Sequence, residues 1–264
     1  MSLFKKMLSS VGIGAATVNT ELFNESYTPG ESLTGIINIK GGSVEQQIDA
    51  IYLKIKSTFE DEIEVENEDG EENEINITRN ALVAEYKISE PFTIGKNESI
   101  SFDLDFILPE DTPVTVGKTR TWVETGLDIK MALDPSDKDY IHVLPHPMVD
   151  AVLTSTMDMG FEISEVVCEP APPFMQMRLP FIQEFELKPV EGHFKTRLDE
   201  IELVFRPEKD RVEIFMEVDR KARGLLGSLS EMMGTDESML RFTLHQSDLD
   251  TIILKLNDLI EEHC

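Results

Sequence analysis

The chain has 264 residues, 41% of them hydrophobic, which supplies enough apolar surface for a packed core and excludes a globally disordered polymer. Its 24 Lys and Arg stand against 51 Asp and Glu, a net charge of −27 that repels nucleic-acid phosphates and anionic headgroups, so no nucleic acid and no strong membrane binding are expected. The two cysteines, Cys168 and Cys264, are too few for a secreted disulfide scaffold, and no run approaches the roughly 18 apolar residues of a membrane span, so a cytoplasmic protein is expected.

At the N-terminus, Leu3, Phe4, Met7, Leu8 and Val11 fall at helical spacing, with Ser2 as cap and Gly12 as stop. Ser9, Ser10, Gly12 and Gly14 make this segment a poor signal-peptide core. The period then changes to two. Strands are predicted over Thr17–Leu22, Ser32–Ile39, Ile48–Glu66, Asn73–Ile88 and Ile100–Phe106, with breaks at Pro29-Gly30, Gly41-Gly42 and Asp69-Gly70. In "YTPGESLTGIINI" the Pro-Gly pair predicts a turn, and Leu33, Ile37 and Ile39 form a core-facing row. "GKTRTWVETGLDIKMAL" and "DYIHVLP" complete a first antiparallel sandwich.

The Pro-rich "LPHPM" ends that block, and Pro147 opens a short helix through Val152 and Met157 that Gly160 stops. Strands resume over Phe161–Cys168, Phe181–Leu187, Ile201–Phe205 and Val212–Val218. The last stretch reads as an amphipathic helix capped by Ser247 and striped by Leu249, Ile252, Ile253, Leu256, Leu259 and Ile260. The expected organisation is all-β: one sandwich over 1–146, a second over 147–246 and a helix over 247–264.

Motifs with chemistry do not complete themselves. "VGKT" at Val116–Thr119 lacks the first phosphate-loop glycine, since position 112 is Thr112, and strand-like residues follow it in place of a helix. Gly12-Ile13-Gly14 lacks the third glycine of a dinucleotide loop, because position 17 is Thr17. The run Glu60–Glu74 holds ten carboxylates in fifteen residues, but an EF-hand register on Gly70 puts Val65 and Asn76 at ligand positions. It reads as a solvated hairpin that keeps a sheet edge from pairing. His142 and His146 are four apart, yet Pro145 and Pro147 break the helix a zinc pair needs. Cys168 has no helix N-terminus to acidify it. No catalytic residue, metal site or cofactor is predicted.

Three segments together carry a resemblance. "YTPGESLTGIINIKGG" with "VEQQIDAIYLKIKSTFE" resembles the first strands of arrestin-type domains, and "ISFDLDFILPEDTPVTVG" the arrestin-type segment in which an alternating strand runs into a Leu-Pro turn. "TWVETGLDIKMALDPSDKDYIHVLPHP", "RLPFIQEFEL", "LDEIELVF" and "DRKARGL" resemble the bacterial stage-zero sporulation-control family, M member. That resemblance implies two arrestin-like β-sandwich domains without catalytic activity, a regulatory role in sporulation, and protein partners. It also implies an interdomain charge latch, for which Arg120, Asp128, Asp134, Asp137, Asp139, Arg220 and Arg223 are the candidates.

The terminal helix buries its stripe either on the second sandwich or against a second copy, so Leu249, Ile253, Leu256 and Ile260 are candidate homodimer contacts. Two other functional readings stand beside the adaptor. One is a β-sandwich hydrolase or ligand-binding module, for which one Trp and four Tyr make a poor sugar platform. The other is a membrane-surface scaffold recruited through Lys5 and Lys6.

Overall fold

A computed structural model of the chain describes residues 15–66, 72–130, 134–220 and 237–264. The predicted N-terminal helix lies outside them. The chain is mostly strand and divides into two compact units. The first takes the chain up to Thr58, Asn80–Thr115 and Arg120–Leu144; the second takes Phe59–Arg79, Val116–Thr119 and the chain from Pro145.

In the first unit, β1 (Thr17–Leu22), β3 (Ser32–Lys40) and β7 (Ser99–Ile107) form a sheet in the order β1-β3-β7. A second sheet runs β2-β9-β8-β4-β5, built from β2 (Ser26–Tyr27), β4 (Gln46–Glu66), β5 (Glu72–Lys87), β8 (Thr121–Ile129) and β9 (Ser136–Val143). The short β6 (Phe92–Ile94) pairs with the start of β4. Alternation explains the layering: Leu33, Ile37 and Ile39 of β3 are buried, as their shared parity requires. Phe92 meets Phe102 at 5.5 Å and Tyr86 meets Phe106 at 4.8 Å between ring centroids. A buried hydrogen bond of 2.7 Å from the Thr20 hydroxyl to that of Thr125 joins β1 to β8.

The Pro29-Gly30 turn forms as its residues demand. Glu31 N–H donates to the Thr28 carbonyl at 3.1 Å, and Gly30 holds φ +84°, which leaves little room for any side chain but hydrogen. In β4 the register against β8 shifts between Ile48 and Ala50. Buried positions accordingly switch from 46, 48 and 50 to 51, 53, 55, 57 and 59, so a single alternation does not describe the strand.

The second unit centres on a meander, β10 (Phe161–Pro170), β11 (Phe181–Pro189), β12 (Leu198–Glu208), β13 (Arg211–Arg220) and β14 (Glu237–His245), each paired antiparallel with the next. Strands β2, β6 and β14 were not expected from the sequence; β2 and β6 are too short to show alternation, while β14 alternates at Leu240, Phe242 and Leu244. Both faces of β12 and β13 are buried, as consecutive buried residues show, Leu203 and Val204 on β12 and Phe215 and Met216 on β13, which masks alternation in their sequence. Met175, Ile182, Val204 and Phe215 form one buried cluster. Helix α1 (Pro147–Asp158) packs against β10, β12 and β13, and α2 (Ile252–Glu262) packs against α1. Gly160, at φ +93°, ends the α1 segment. The C-terminal helix does not start at a Ser247 cap: a 3-10 turn over Gln246–Thr251 comes first, held by the Asp248 carboxylate accepting the His245 N–H at 2.9 Å. The α-helix begins only at Ile252.

Candidate interaction face

The outward face of the six-stranded sheet gathers basic and aromatic groups in a chain that is otherwise acidic. The parities that β4, β8 and β9 turn away from the core hold Lys54 and Lys56, Trp122 and Glu124, and Lys138, Tyr140 and His142. Register sets them in rows: Lys54 lies opposite Glu124, which lies opposite Lys138, while Lys56 lies opposite Trp122, which lies opposite Tyr140. The Lys56 ammonium donates to both Glu124 oxygens, at 2.9 and 2.8 Å. Burial acts to raise the Glu124 pKa, but the Lys56 hydrogen bonds and charge outweigh it and hold the carboxyl below its usual range. Lys54 pairs with Glu85 at 3.3 Å. The Lys138 ammonium sits 3.9 Å from the Trp122 ring centroid and 4.5 Å from that of Tyr140. Trp122 is thereby covered, whereas Tyr140 remains 62% exposed.

Two hollows indent this face. A cleft of about 380 Å³ opens where Gly126 interrupts the row of side chains, with Tyr52, Lys54, Glu124 and Ser136 among its walls. A Cβ built on Gly126 meets no atom within 4 Å, so the missing side chain is what makes the cleft. A wider hollow of about 670 Å³ lies by Glu25, Thr115, Arg120, Tyr140 and His142. Cationic, aromatic and hydroxyl groups around shallow, open hollows suit contact with a polypeptide surface.

The model of the SpoOM protein family matches residues 4–222. This chain belongs to the SpoOM protein family. It is 42% identical over 262 residues, 99% of this chain and 97% of the relative, to the sporulation-control protein spo0M of Bacillus subtilis (strain 168). The crystal structure of Spo0M from Bacillus subtilis is similar along 96% of this chain and all of its own, with a TM-score of 0.76 and 38% identity.

In this SpoOM family member the described candidate latch residues fall on β8, β9, β13 and the segments beside them. Asp128 and Asp134 line the Gly126 cleft, where Asp134 accepts the Ile129 N–H at 2.9 Å. Asp137 instead accepts the Thr20 N–H at 2.6 Å, and the Asp139 carboxyl lies beside that of Asp137. Arg120 borders the wider hollow, Arg220 ends β13, and Arg223 lies outside the described residues. Among the proposed self-association residues, Leu256 and Ile260 are fully buried within the chain, Leu249 is half-buried and Ile253 is exposed. The buried stripe of α2 is Ile252, Leu256 and Ile260, and Glu261 on the same helix accepts from Arg197 at 2.6 Å. Ile253 and Leu254 remain as its outward apolar pair.

Other groups with chemical potential have structural duties. His146 is buried, and its Nδ1 caps α1 by accepting the Met148 N–H at 3.2 Å, while His142 sits exposed on β9. Val116–Thr119 closes as a turn, Thr119 N–H to Val116 carbonyl at 3.0 Å, and β8 follows it. The tip of the acidic hairpin, 67–71, lies outside the described residues. Among those described, no group of three or more His, Cys, Asp or Glu is placed to hold a metal ion. Burial pushes the Cys168 thiol up to about 11, despite Thr119 and Gln183 hydrogen bonds acting to lower it, so it is a poor nucleophile. The SpoOM family member also carries a row of glutamates that sequence reading passed over. Glu165, Glu186, Glu202 and Glu217 lie directly opposite one another across β10 to β13. Burial, then the charges of Glu202, Glu169, Glu217 and Glu186, raise the adjacent Glu184 to about 7.

Proposed function

We propose that this protein is a non-enzymatic regulatory adaptor in sporulation control, acting in the cytoplasm through protein contacts made by the outward face of its first sheet. The observation that carries the sporulation role is 42% identity along 99% of the chain to a sporulation-control protein. The contact face is supported by its lysines and aromatics, which stand out on a molecule of net charge −27, and by the cleft over Gly126. Among the described residues no helix is long and apolar enough to cross a membrane.

The test is affinity capture from sporulating cells with three baits: wild type, Lys138→Glu and Gly126→Trp. The first variant inverts a charge over the Trp122 ring; the second fills the cleft at a strand position that has room for a side chain. The adaptor reading expects a defined set of proteins with wild type and their loss, about tenfold or more, with both variants while circular dichroism is unchanged. Equal capture by all three baits would exclude this face as the contact surface. Failure of the gene to restore sporulation in a strain lacking its own family member would exclude the role itself.

A further inference from the structure

Asp137 and Asp139 lie two apart on β9 and so share one side of the strand, the side from which Asp137 reaches β1. Lys138 between them points the opposite way, onto Trp122. The Asp137 carboxylate accepts the Thr20 N–H at 2.6 Å, while the Thr20 hydroxyl donates to Thr125 on β8. Strand β1 is the edge of its sheet, paired with β3 on one side only, so the Thr20 N–H bound by Asp137 is an edge donor. Asp139 Oδ2 is buried without a hydrogen-bond donor, and the Asp139 carboxyl lies beside that of Asp137, close enough to interact. Two carboxyl groups bond to each other only if one of them carries a proton.

We infer that Asp137 and Asp139 form a proton-sharing clasp on β1, closed while one proton lies between them and loosened when both are ionised. Opposite them β8 presents Thr125 and Val123, β1 presents Thr20, and β2 reaches only His142 and Val143, with Tyr27 as its ionisable group. The charge that bears on Asp139 is therefore that of Asp137. Burial first, then that charge and the hydrogen bond that protonated Asp139 donates to Asp137, push Asp139 up to about 6. A carboxyl raised in the folded state adds stability below its unfolded range and loses that contribution as pH rises through the folded value. The clasp thus holds β1 in mildly acidic solution and releases an edge strand toward neutrality, the kind of edge to which an extended segment of a partner adds.

Carboxyl carbon NMR of the full chain, with amide exchange at Thr20, tests this. The Asp139 carboxyl should titrate with a midpoint near 6, and Thr20 protection, corrected for intrinsic exchange, should fall about tenfold or more between roughly pH 5 and 7.5. In Asp139→Asn, whose amide donates to Asp137 at every pH, protection should stay high and flat. A midpoint below about 4.5, or wild-type protection that does not change with pH, would overturn the clasp. The wild-type titration decides on its own should the variant fail to fold.

Discussion

Gly30 shows what one residue contributes to the front of this fold. It sits at φ +84° between Pro29 and the start of β3, and a Cβ there would meet the Glu110 carboxylate, which would have to swing aside. Gly30→Ala combines left-handed backbone strain with that crowding and should lower stability by about 1–2 kcal/mol, read as a shift in the urea midpoint. Glu184 gives a prediction of opposite sign. Its folded pKa, about 7, exceeds the 4.5 of a free glutamate, so its ionisation costs stability that grows as pH rises from 4.5 through 7. The group is half-buried, which screens the effect to roughly 1–2 kcal/mol. Glu184→Gln should therefore be more stable than wild type at pH 8 and equal to it at pH 4, in paired denaturation curves.

At the scale of elements, α2 is fixed by a narrow stripe. Ile252, Leu256 and Ile260 recur every four residues on one side and are buried, while Ile253 and Leu254 face outward. Leu256→Ala should cost about 2–5 kcal/mol, and Leu254→Ala, on the exposed side, less than about 0.5 kcal/mol. Thermal unfolding of the two variants side by side checks the asymmetry. The stripe was legible because a 3.6-residue period survives in sequence. The preceding 3-10 turn was not, since Asp248 reaching back to His245 imitates no periodic signal and Ser247 looked like the better cap. The β4 bulge has the same character: one extra residue near Asp49 inverts the parity beyond it.

For the molecule as a whole, the all-β class and most strands were legible because one face of each alternates: β3 reads hydrophobic at Leu33, Ile37 and Ile39 and is buried there. What escaped was lateral. Leu240, Phe242 and Leu244 alternate with Arg241 and Thr243 in "ESMLRFTLH", a strand signal that went unread, whereas nothing in "SY" announces that β2 runs parallel beside β9. The candidate face was only half legible. Lys54 and Lys56 share a parity that sequence displays, but setting Lys138 over Trp122 requires the β8–β9 register, a product of tertiary packing. The same holds for the glutamate row, whose members are separated in sequence and meet only across four strands.

The meander of the second unit has a kinetic consequence. Each of β10 to β14 pairs with its sequence neighbour, so this sheet grows by successive hairpin closures over short lengths of chain. The first unit instead sets β4 beside β8 and β2 beside β9, pairings such as Ser57 with Thr121 and Ser26 with His142 that must close long loops before any contact rewards them. Loop closure alone thus makes the second unit's sheet the faster to form, although it leaves the ribosome after the first unit.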